Sequence, residues 1–264
     1  MQSFILFFSF LVQLFACTQA EKHNSDPVIK THVHLLGSTP ITIKTRTYGT
    51  PSSVTFIQLH HNEETAEKAV LQVLEEKGGT LVSIENGSRR TISFRVNGKS
   101  YLFDPNRMFT KRGIRESLGR LGSYTPAAAA EVAAFARAIL ALLPQETVTV
   151  AVHNNTDQHY SILSYRSDPQ LKQSAKAVYH NPQQDVDDFF ITTQQDISLA
   201  LKESGYNVVL QNNAGVFDDG SLSVLMGRQK RRYVNVEAQH HHLKEQTDMI
   251  RSLLKRFEKE ESPE

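Results

Sequence analysis

The sequence of 264 residues has a single cysteine, Cys17, and no tryptophan. A chain with one cysteine forms no internal disulfide, so its stability has to come from a packed core, and cysteine-rich structural zinc sites are excluded. An excess of charge of one sign is also missing, because 29 basic and 28 acidic residues leave a formal net charge of +1. Without a basic surface or an acidic tail, nucleic-acid binding is not expected.

Long hydrophobic runs are rare as well. The apolar run over residues 4–16 is shorter than the roughly 20 residues of a membrane-spanning helix, and it predicts a signal peptide over residues 1–20. Two processing outcomes stay open. The segment that ends in Cys17 resembles a bacterial lipobox, in which this cysteine would be lipidated, while Thr18-Gln19-Ala20 resembles an ordinary cleavage site. We therefore expect an exported protein, either periplasmic or anchored by a lipid to a bacterial membrane.

Beyond a polar tether at residues 21–27, the pattern predicts one domain over residues 28–264, since 39% hydrophobic residues are enough for one large core. Strand-like and helix-like segments alternate, as in the β-rich run 54–59 and the helical pattern that ends at Gly78-Gly79. Thr125-Pro126 predicts the start of a helix, and the alanine-rich stretch that follows predicts that it extends over residues 127–143. Asn97-Gly98 predicts a local hairpin, which indicates a mixed sheet. We expect an α/β fold, a three-layer α/β/α sandwich with a mixed, mostly parallel central sheet, and ligands at the carboxyl ends of its strands.

Three polar residues of the metal-ligand type come where predicted strands end. His60 follows the run 54–59, His153 follows a buried run at 147–152, and Glu237 ends a strand that begins at Tyr233. In an α/β sheet such positions converge on one edge. The chain also has eleven histidines, and neutral imidazole is a common metal ligand.

A catalytic zinc needs three nitrogen or oxygen ligands and keeps a fourth position for water. His60 and Glu63 would supply a close pair of ligands, and His153 a distant third. His61 and Glu64 form an alternative pair in the same turn. The residues alone therefore predict a zinc site and leave the choice between the two pairs open.

Several short motifs resemble those of one superfamily. His60-His61-Asn62-Glu63 resembles the H-x-x-E turn of the zinc carboxypeptidases and of the succinylglutamate desuccinylase and aspartoacylase group, with His61 where glycine is usual. Asp104-Pro105-Asn106-Arg107 resembles the D-x-N-R motif of that group, and Asn235-Val236-Glu237 resembles its strand with the catalytic glutamate. The order and spacing agree over most of residues 50–250.

The resemblance implies a carboxypeptidase-like fold and a role for each motif. One zinc ion would be held by His60, Glu63 and His153, and Glu237 would be the general base that activates the zinc-bound water. Asn106 and Arg107 would clamp a substrate carboxylate. The arginine that polarises the substrate carbonyl is left open among four candidates: Arg89, Arg90, Arg95 and Arg115.

The function that this reading implies is hydrolysis of an amide bond in a small peptide-like or acyl-amino-acid substrate with a free carboxylate. The alternative from another class is a non-catalytic, metal- or ligand-binding lipoprotein with a degenerate fold of the same type. A serine hydrolase finds little support, because no G-x-S-x-G motif occurs. His240-His241-His242 is expected either to contact the edge that carries the metal or to start a helix in solvent, and His32 and His34 are expected to face solvent.

Overall fold

The computed structural model describes residues 26–50, 52–156 and 159–261. The predicted signal peptide and the choice between lipobox and ordinary cleavage lie outside the described residues, so they stay predictions. No helix in the described part of the chain is both long and apolar enough to cross a bilayer.

Eleven strands and eight α-helices alternate in the described residues. The strands are β1 (Val28–Leu36), β2 (Thr39–Tyr48), β3 (Val54–Gln58), β4 (Gly79–Glu85), β5 (Ile92–Val96), β6 (Lys99–Phe103), β7 (Val148–Asn155), β8 (Ala175–Tyr179), β9 (Phe189–Thr192), β10 (Val208–Gln211) and β11 (Tyr233–Gln239). The helices are α1 (Glu64–Lys77), α2 (Lys111–Arg120), α3 (Pro126–Leu140), α4 (Ser164–Ser167), α5 (Pro169–Ser174), α6 (Gln195–Glu203), α7 (Leu222–Arg228) and α8 (Leu243–Glu261). A 3-10 turn spans Pro105–Arg107.

Nine of these strands form one sheet in the order β1-β2-β4-β3-β7-β11-β9-β10-β8. The four neighbouring strands β4, β3, β7 and β11 are parallel, and so are β9 and β10. The other neighbouring pairs are antiparallel, and six of the nine strands consequently point the same way. The predicted mixed, mostly parallel sheet is confirmed.

Helices cover both faces of the sheet. On one face, α2, α3 and α7 pack with the hairpin β5-β6 around a core that includes Phe103 and Phe135. On the other face, α1, α6 and α8 pack around a core that includes Phe56 and Phe190. Because the central strands are buried on both faces, their sequences are nearly continuous runs of apolar residues. The three-layer α/β/α architecture is confirmed.

The predicted hairpin forms, but its place in the fold differs from the expectation. β5 and β6 pair across Asn97-Gly98 as a separate two-stranded sheet. Both turn residues have positive φ, of 50° and 77°, as a type I′ turn requires. The mixed character of the central sheet comes instead from β2, β9 and β10, which run against the parallel strands.

Two predicted helices keep their starts and ends nearly as expected. α1 stops at Gly78, whose φ of 77° suits glycine and whose N–H donates to Leu74. α3 starts at Pro126, where the Thr125 side chain accepts from the N–H of Ala128. It ends at Leu140, three residues before the predicted end.

Candidate metal centre

His60 and Glu63 lie in a tight turn after β3. The N–H of Glu63 donates to the carbonyl oxygen of His60 at 3.2 Å. Gln58, the last residue of β3, donates its side-chain amide to the carbonyl oxygen of Glu63 at 3.0 Å. The turn therefore fixes both side chains just before α1, and each is only 1% exposed.

His153 and Glu237 lie side by side, as register partners on the parallel strands β7 and β11. Both lie inside their strands, since β7 continues to Asn155 and β11 to Gln239. The expectation that the strands end at these residues is wrong by two residues. Both residues still lie among the last three of their strands, at the same end of the parallel strands as His60, which follows β3.

The structure brings three ligand-type side chains together. His60 Nδ1 lies 3.2 Å from His153 Nδ1. The two carboxylate oxygens of Glu63 lie 2.9 Å from His60 Nδ1 and 2.8 Å from His153 Nδ1. One donor atom from each residue falls within 4.8 Å of the others, and no second cluster of this kind occurs in the part of the chain that the structure describes. These three residues are called the ligand cluster below.

The ligand cluster fits a zinc ion. Two nitrogens bound to one tetrahedral zinc at about 2.0–2.1 Å lie about 3.4 Å apart, and the observed Nδ1–Nδ1 distance is 3.2 Å. Two imidazoles and one carboxylate are a donor set of catalytic zinc sites, which leave one position for water. The cluster could therefore hold one divalent ion.

Asp104 fixes the orientation of His60. Its Oδ1 lies 2.8 Å from His60 Nε2 and also accepts from the N–H of Asn106 at 2.8 Å. A carboxylate on one ring nitrogen leaves the other nitrogen as the metal-binding atom and makes it more basic. The sequence motif predicted a role for Asn106 and Arg107, but this role of Asp104 was missed.

Without a metal ion, the ligand cluster holds a proton. Burial alone would lower the pKa of His60, but the charge of Glu63 and the hydrogen bond to Asp104 outweigh it and raise the pKa to about 9. Burial favours neutral Glu63 as well, yet the charges of His60 and His153 hold the pKa of this carboxyl far below its usual range. Because a ligand imidazole has to be neutral, a bound metal would displace the proton.

Glu237 lies next to the cluster and is only 7% exposed. Burial raises its pKa, and the charge of Glu63 adds to this while the charge of His153 opposes it. Asn235, two residues earlier on the same strand, donates its side-chain amide to Glu237 Oε1 at 3.0 Å. A carboxyl group with a raised pKa takes up a proton more readily than an ordinary carboxylate, which suits a general base.

Of the four arginines that were candidates to polarise the substrate carbonyl, Arg90 lies at the ligand cluster. Its Nη1 donates to Glu63 Oε1 at 2.8 Å, and its guanidinium is half exposed. Its Nε lies 3.9 Å from Asp104 Oδ2. None of the other three candidates lines the cavity around the cluster: Arg89, Arg95 and Arg115.

Asn106 and Arg107 lie in the 3-10 turn beside the cluster. The Asn106 side chain accepts from the N–H of Leu222 at 3.1 Å, and its amide nitrogen lies 3.5 Å from His153 Nε2. Arg107 Nη1 donates to the carbonyl oxygen of Asn106 at 2.7 Å and lies 3.5 Å from Asp219 Oδ2. The charges of Asp219 and Asp104 raise the pKa of the guanidinium although burial opposes this.

A cavity of about 470 Å³ connects these groups and is called the metal cavity. Its wall includes the ligand cluster, Glu237, Arg90, Asn106, Arg107 and Asp219. A second cavity of about 260 Å³, the side cavity, shares several wall residues with it, among them Arg107, Tyr165 and Asp219. The space beside the ligand cluster is therefore large enough for a small molecule.

The alternative pair His61 and Glu64 does not form a metal site. His61 Nδ1 accepts from the backbone N–H groups of Asn86 and Ser88 at 2.8 and 3.2 Å. The Glu64 side chain is 62% exposed and faces Lys68 on the next turn of α1. Of the two pairs that the sequence left open, the structure therefore brings His60 and Glu63 to the ligand cluster.

Two further histidine predictions have different outcomes. His240 is on the wall of the metal cavity, whereas His242 pairs with Asp188 at 3.0 Å. His32 is exposed as expected. The expectation that His34 faces solvent is wrong, because its ring packs on Phe135 of α3 with centroids 5.2 Å apart.

Tyr160 and Tyr165 are wall residues that the sequence pattern did not predict. Their hydroxyl oxygens lie 2.5 Å apart, and both side chains line the metal cavity. Burial raises the pKa of both phenols, so both stay neutral hydrogen-bonding groups. Both lie after β7 in a region without regular sequence periodicity, which is why no pattern pointed to them.

The sequence matches no protein-family model and no curated protein. Similar solved structures include a succinylglutamate desuccinylase from Silicibacter, with 11% identity over 89% of this chain and 68% of that one at a TM-score of 0.47. Thrombin activatable fibrinolysis inhibitor is 10% identical over 86% and 69% of the two chains, also at 0.47. An aspartoacylase family protein from Mesorhizobium loti is 13% identical over 88% and 67%, at 0.41.

At such identities and TM-scores, the activity of a neighbour does not carry over to this chain. What this chain can do chemically has to follow from the ligand cluster and its surroundings.

Proposed function

We propose that this protein is a zinc-dependent hydrolase that cleaves an amide bond in a small peptide-like or acyl-amino-acid substrate with a free carboxylate. One observation carries the proposal: the buried Nδ1 atoms of His60 and His153 and the carboxylate of Glu63 converge, and the buried Glu237 shares their cavity. We also propose that the protein acts after export, which rests on residues 1–20 alone.

A zinc ion at the ligand cluster would supply Lewis acidity and bring the pKa of a bound water close to neutral. Asp104 holds the His60 ring through the 2.8 Å bond to Nε2, so that Nδ1 would be left to bind the ion. Glu237 takes a proton from the attacking water and passes it to the leaving amine, for which its raised pKa is suited.

Two arginines position the substrate in this proposal. Arg107 binds the carboxylate, because a guanidinium can offer two parallel N–H bonds to it. Arg90, with its half-exposed guanidinium 2.8 Å from Glu63, polarises the scissile carbonyl. Together they orient the amide bond against the cluster and Glu237, which lowers the entropic part of the barrier.

Metal analysis and a base variant test the proposal. Purified protein should contain one zinc per chain, and Glu237→Gln should keep the zinc while hydrolysis of a panel of N-acyl amino acids, dipeptides and ω-linked amides of diamino acids falls at least about 100-fold. Glu64→Gln is the matched control, since this exposed carboxylate lies outside the cavity wall, and it should leave both readings unchanged. Zinc without hydrolysis of any member of the panel would favour the non-catalytic binding protein.

A further inference from the structure

Arg107 and Asp219 place opposite charges next to each other where the metal cavity meets the side cavity. Both residues line both cavities. Arg107 Nη1 and Asp219 Oδ2 are 3.5 Å apart, which is longer than the roughly 2.7–2.9 Å of a closed charge-assisted bond. The other oxygen of Asp219 accepts from the N–H of Ser221 at 2.9 Å, so the carboxylate is held in place.

This pair is a poor site for a lone carboxylate. A substrate carboxylate that binds Arg107 meets the negative charge of Asp219 at short range, and like charges that close disfavour each other. An ammonium group that comes with the carboxylate removes this repulsion. The four groups then alternate in sign around a small ring: guanidinium, substrate carboxylate, substrate ammonium and Asp219.

The size of the ring selects the kind of substrate group. In an α-amino acid the nitrogen lies about 2.7 Å from the nearer carboxylate oxygen, from standard bond lengths. The substrate carboxylate oxygen would accept from Arg107 Nη1 and the substrate ammonium would donate to Asp219 Oδ2, each at about 2.8 Å. These four atoms then close a ring whose fourth side is the observed 3.5 Å between Nη1 and Oδ2. An ammonium at the end of a long side chain is not held next to its carboxylate in this way.

Asn235 gives an independent indication of an N–H donor. Its amide nitrogen is used by Glu237, but its carbonyl oxygen is buried without a partner among the described residues, and the residue is part of the wall of the metal cavity. A buried acceptor without a donor is costly. A substrate with N–H groups would satisfy this oxygen, whereas an apolar or purely anionic group would not.

We propose that the substrate presents a free α-amino acid end, with both its α-ammonium and its α-carboxylate, to Arg107 and Asp219. The scissile amide is then not at that α-nitrogen. In the proposed acyl-amino-acid substrate the amino acid is the leaving amine, so the amide is formed by the second amine of a diamino acid. Hydrolysis adds water across the C–N bond, gives the acyl part a carboxylate and frees the second amine. This inference rests on the proposed function, and it names the leaving group.

Calorimetric titration of zinc-loaded and metal-free protein with product-like probes tests the inference. Lysine carries the whole α-amino acid end, Nα-acetyl-lysine lacks the α-ammonium, and cadaverine lacks the carboxylate. Lysine should bind at least about tenfold more tightly than either, as expected for one charge-assisted hydrogen bond. In Asp219→Asn the preference for lysine over Nα-acetyl-lysine should disappear, while Glu116→Gln, which removes an exposed carboxylate of the side cavity, should keep it.

Equal binding of lysine and Nα-acetyl-lysine by the unchanged protein would overturn the inference, and so would a preference that survives in Asp219→Asn or the absence of any binding. Hydrolysis of ordinary N-acyl amino acids together with equal binding would leave the proposed function standing and remove only this inference. A preference for lysine that depends on Asp219, in a protein without hydrolytic activity, would support the inference and remove the proposed function.

Discussion

Replacing Asp104 by asparagine should weaken zinc binding without disturbing the fold. Asparagine has the same shape, and its side-chain oxygen can still accept from the N–H of Asn106 and from His60 Nε2, both 2.8 Å from Asp104 Oδ1. The negative charge is lost, and an amide NH2 takes the place of Oδ2, which lies 3.9 Å from Arg90 Nε. A hydrogen bond to a charged group contributes about 1 kcal/mol more than a neutral one, so zinc affinity should fall about tenfold, the lower end of what such partners contribute.

The loss of zinc affinity in Asp104→Asn should be larger at high pH than at low pH. Asp104 is one of the groups that raise the pKa of His60 to about 9 in the metal-free protein, so the variant has a lower His60 pKa. Below pH 9 zinc has to displace the proton from His60, and the variant gives up that proton more easily. The tenfold difference should therefore be full near pH 9 and shrink as the pH falls towards 7.

Competition with a fluorescent zinc chelator at several pH values measures both effects. Asp188→Asn is the matched control, because it changes a second His–Asp pair, with His242 at 3.0 Å, that lies outside the wall of the metal cavity. Its zinc affinity should equal that of the unchanged protein. Equal affinity for zinc in Asp104→Asn and the unchanged protein at pH 9 would refute the reasoning.

Two further predictions concern stability. The pKa of His60 is about 9 in the metal-free fold against 6.5 when unfolded, so the proton on His60 stabilises the fold fully below pH 6.5. The free energy of unfolding, measured by urea denaturation, should therefore fall by about 3 kcal/mol as the pH rises to 9. A free energy of unfolding that does not change with pH would contradict this. Gly113→Ala should destabilise by about 1–3 kcal/mol, because a Cβ there would lie 2.2 Å from Gly220 Cα. Gly119→Ala on the same helix meets nothing within 4 Å and should not lower the thermal midpoint; equal midpoints for the two variants would refute the steric argument.

The sequence was most informative where a local pattern decides the structure. The apolar run before His60 and the helical pattern up to Gly78 are set by neighbours in the chain, and β3 and α1 form there. The same holds for Thr125-Pro126 at the start of α3. The meeting of His60, Glu63 and His153 could be anticipated because parallel strands deliver their carboxyl ends to one edge of the sheet.

Contacts between distant segments could not be predicted in this way. Asp219 meets Arg107 across more than a hundred residues, and no spacing rule links them. The pairing of Asp104 with His60 spans 44 residues and depends on where the separate hairpin β5-β6 returns the chain. The choice between His60 with Glu63 and His61 with Glu64 also needed the fold, because both pairs have the same spacing and only the backbone of the turn decides which side chains are buried.

The central claim is that the ligand cluster holds a single zinc ion. Diffraction data collected at the zinc absorption edge, from crystals grown with zinc, test it most directly. We expect one anomalous peak at about 2.0–2.2 Å from His60 Nδ1, His153 Nδ1 and a carboxylate oxygen of Glu63. A peak elsewhere, or none between these three side chains, would contradict the account.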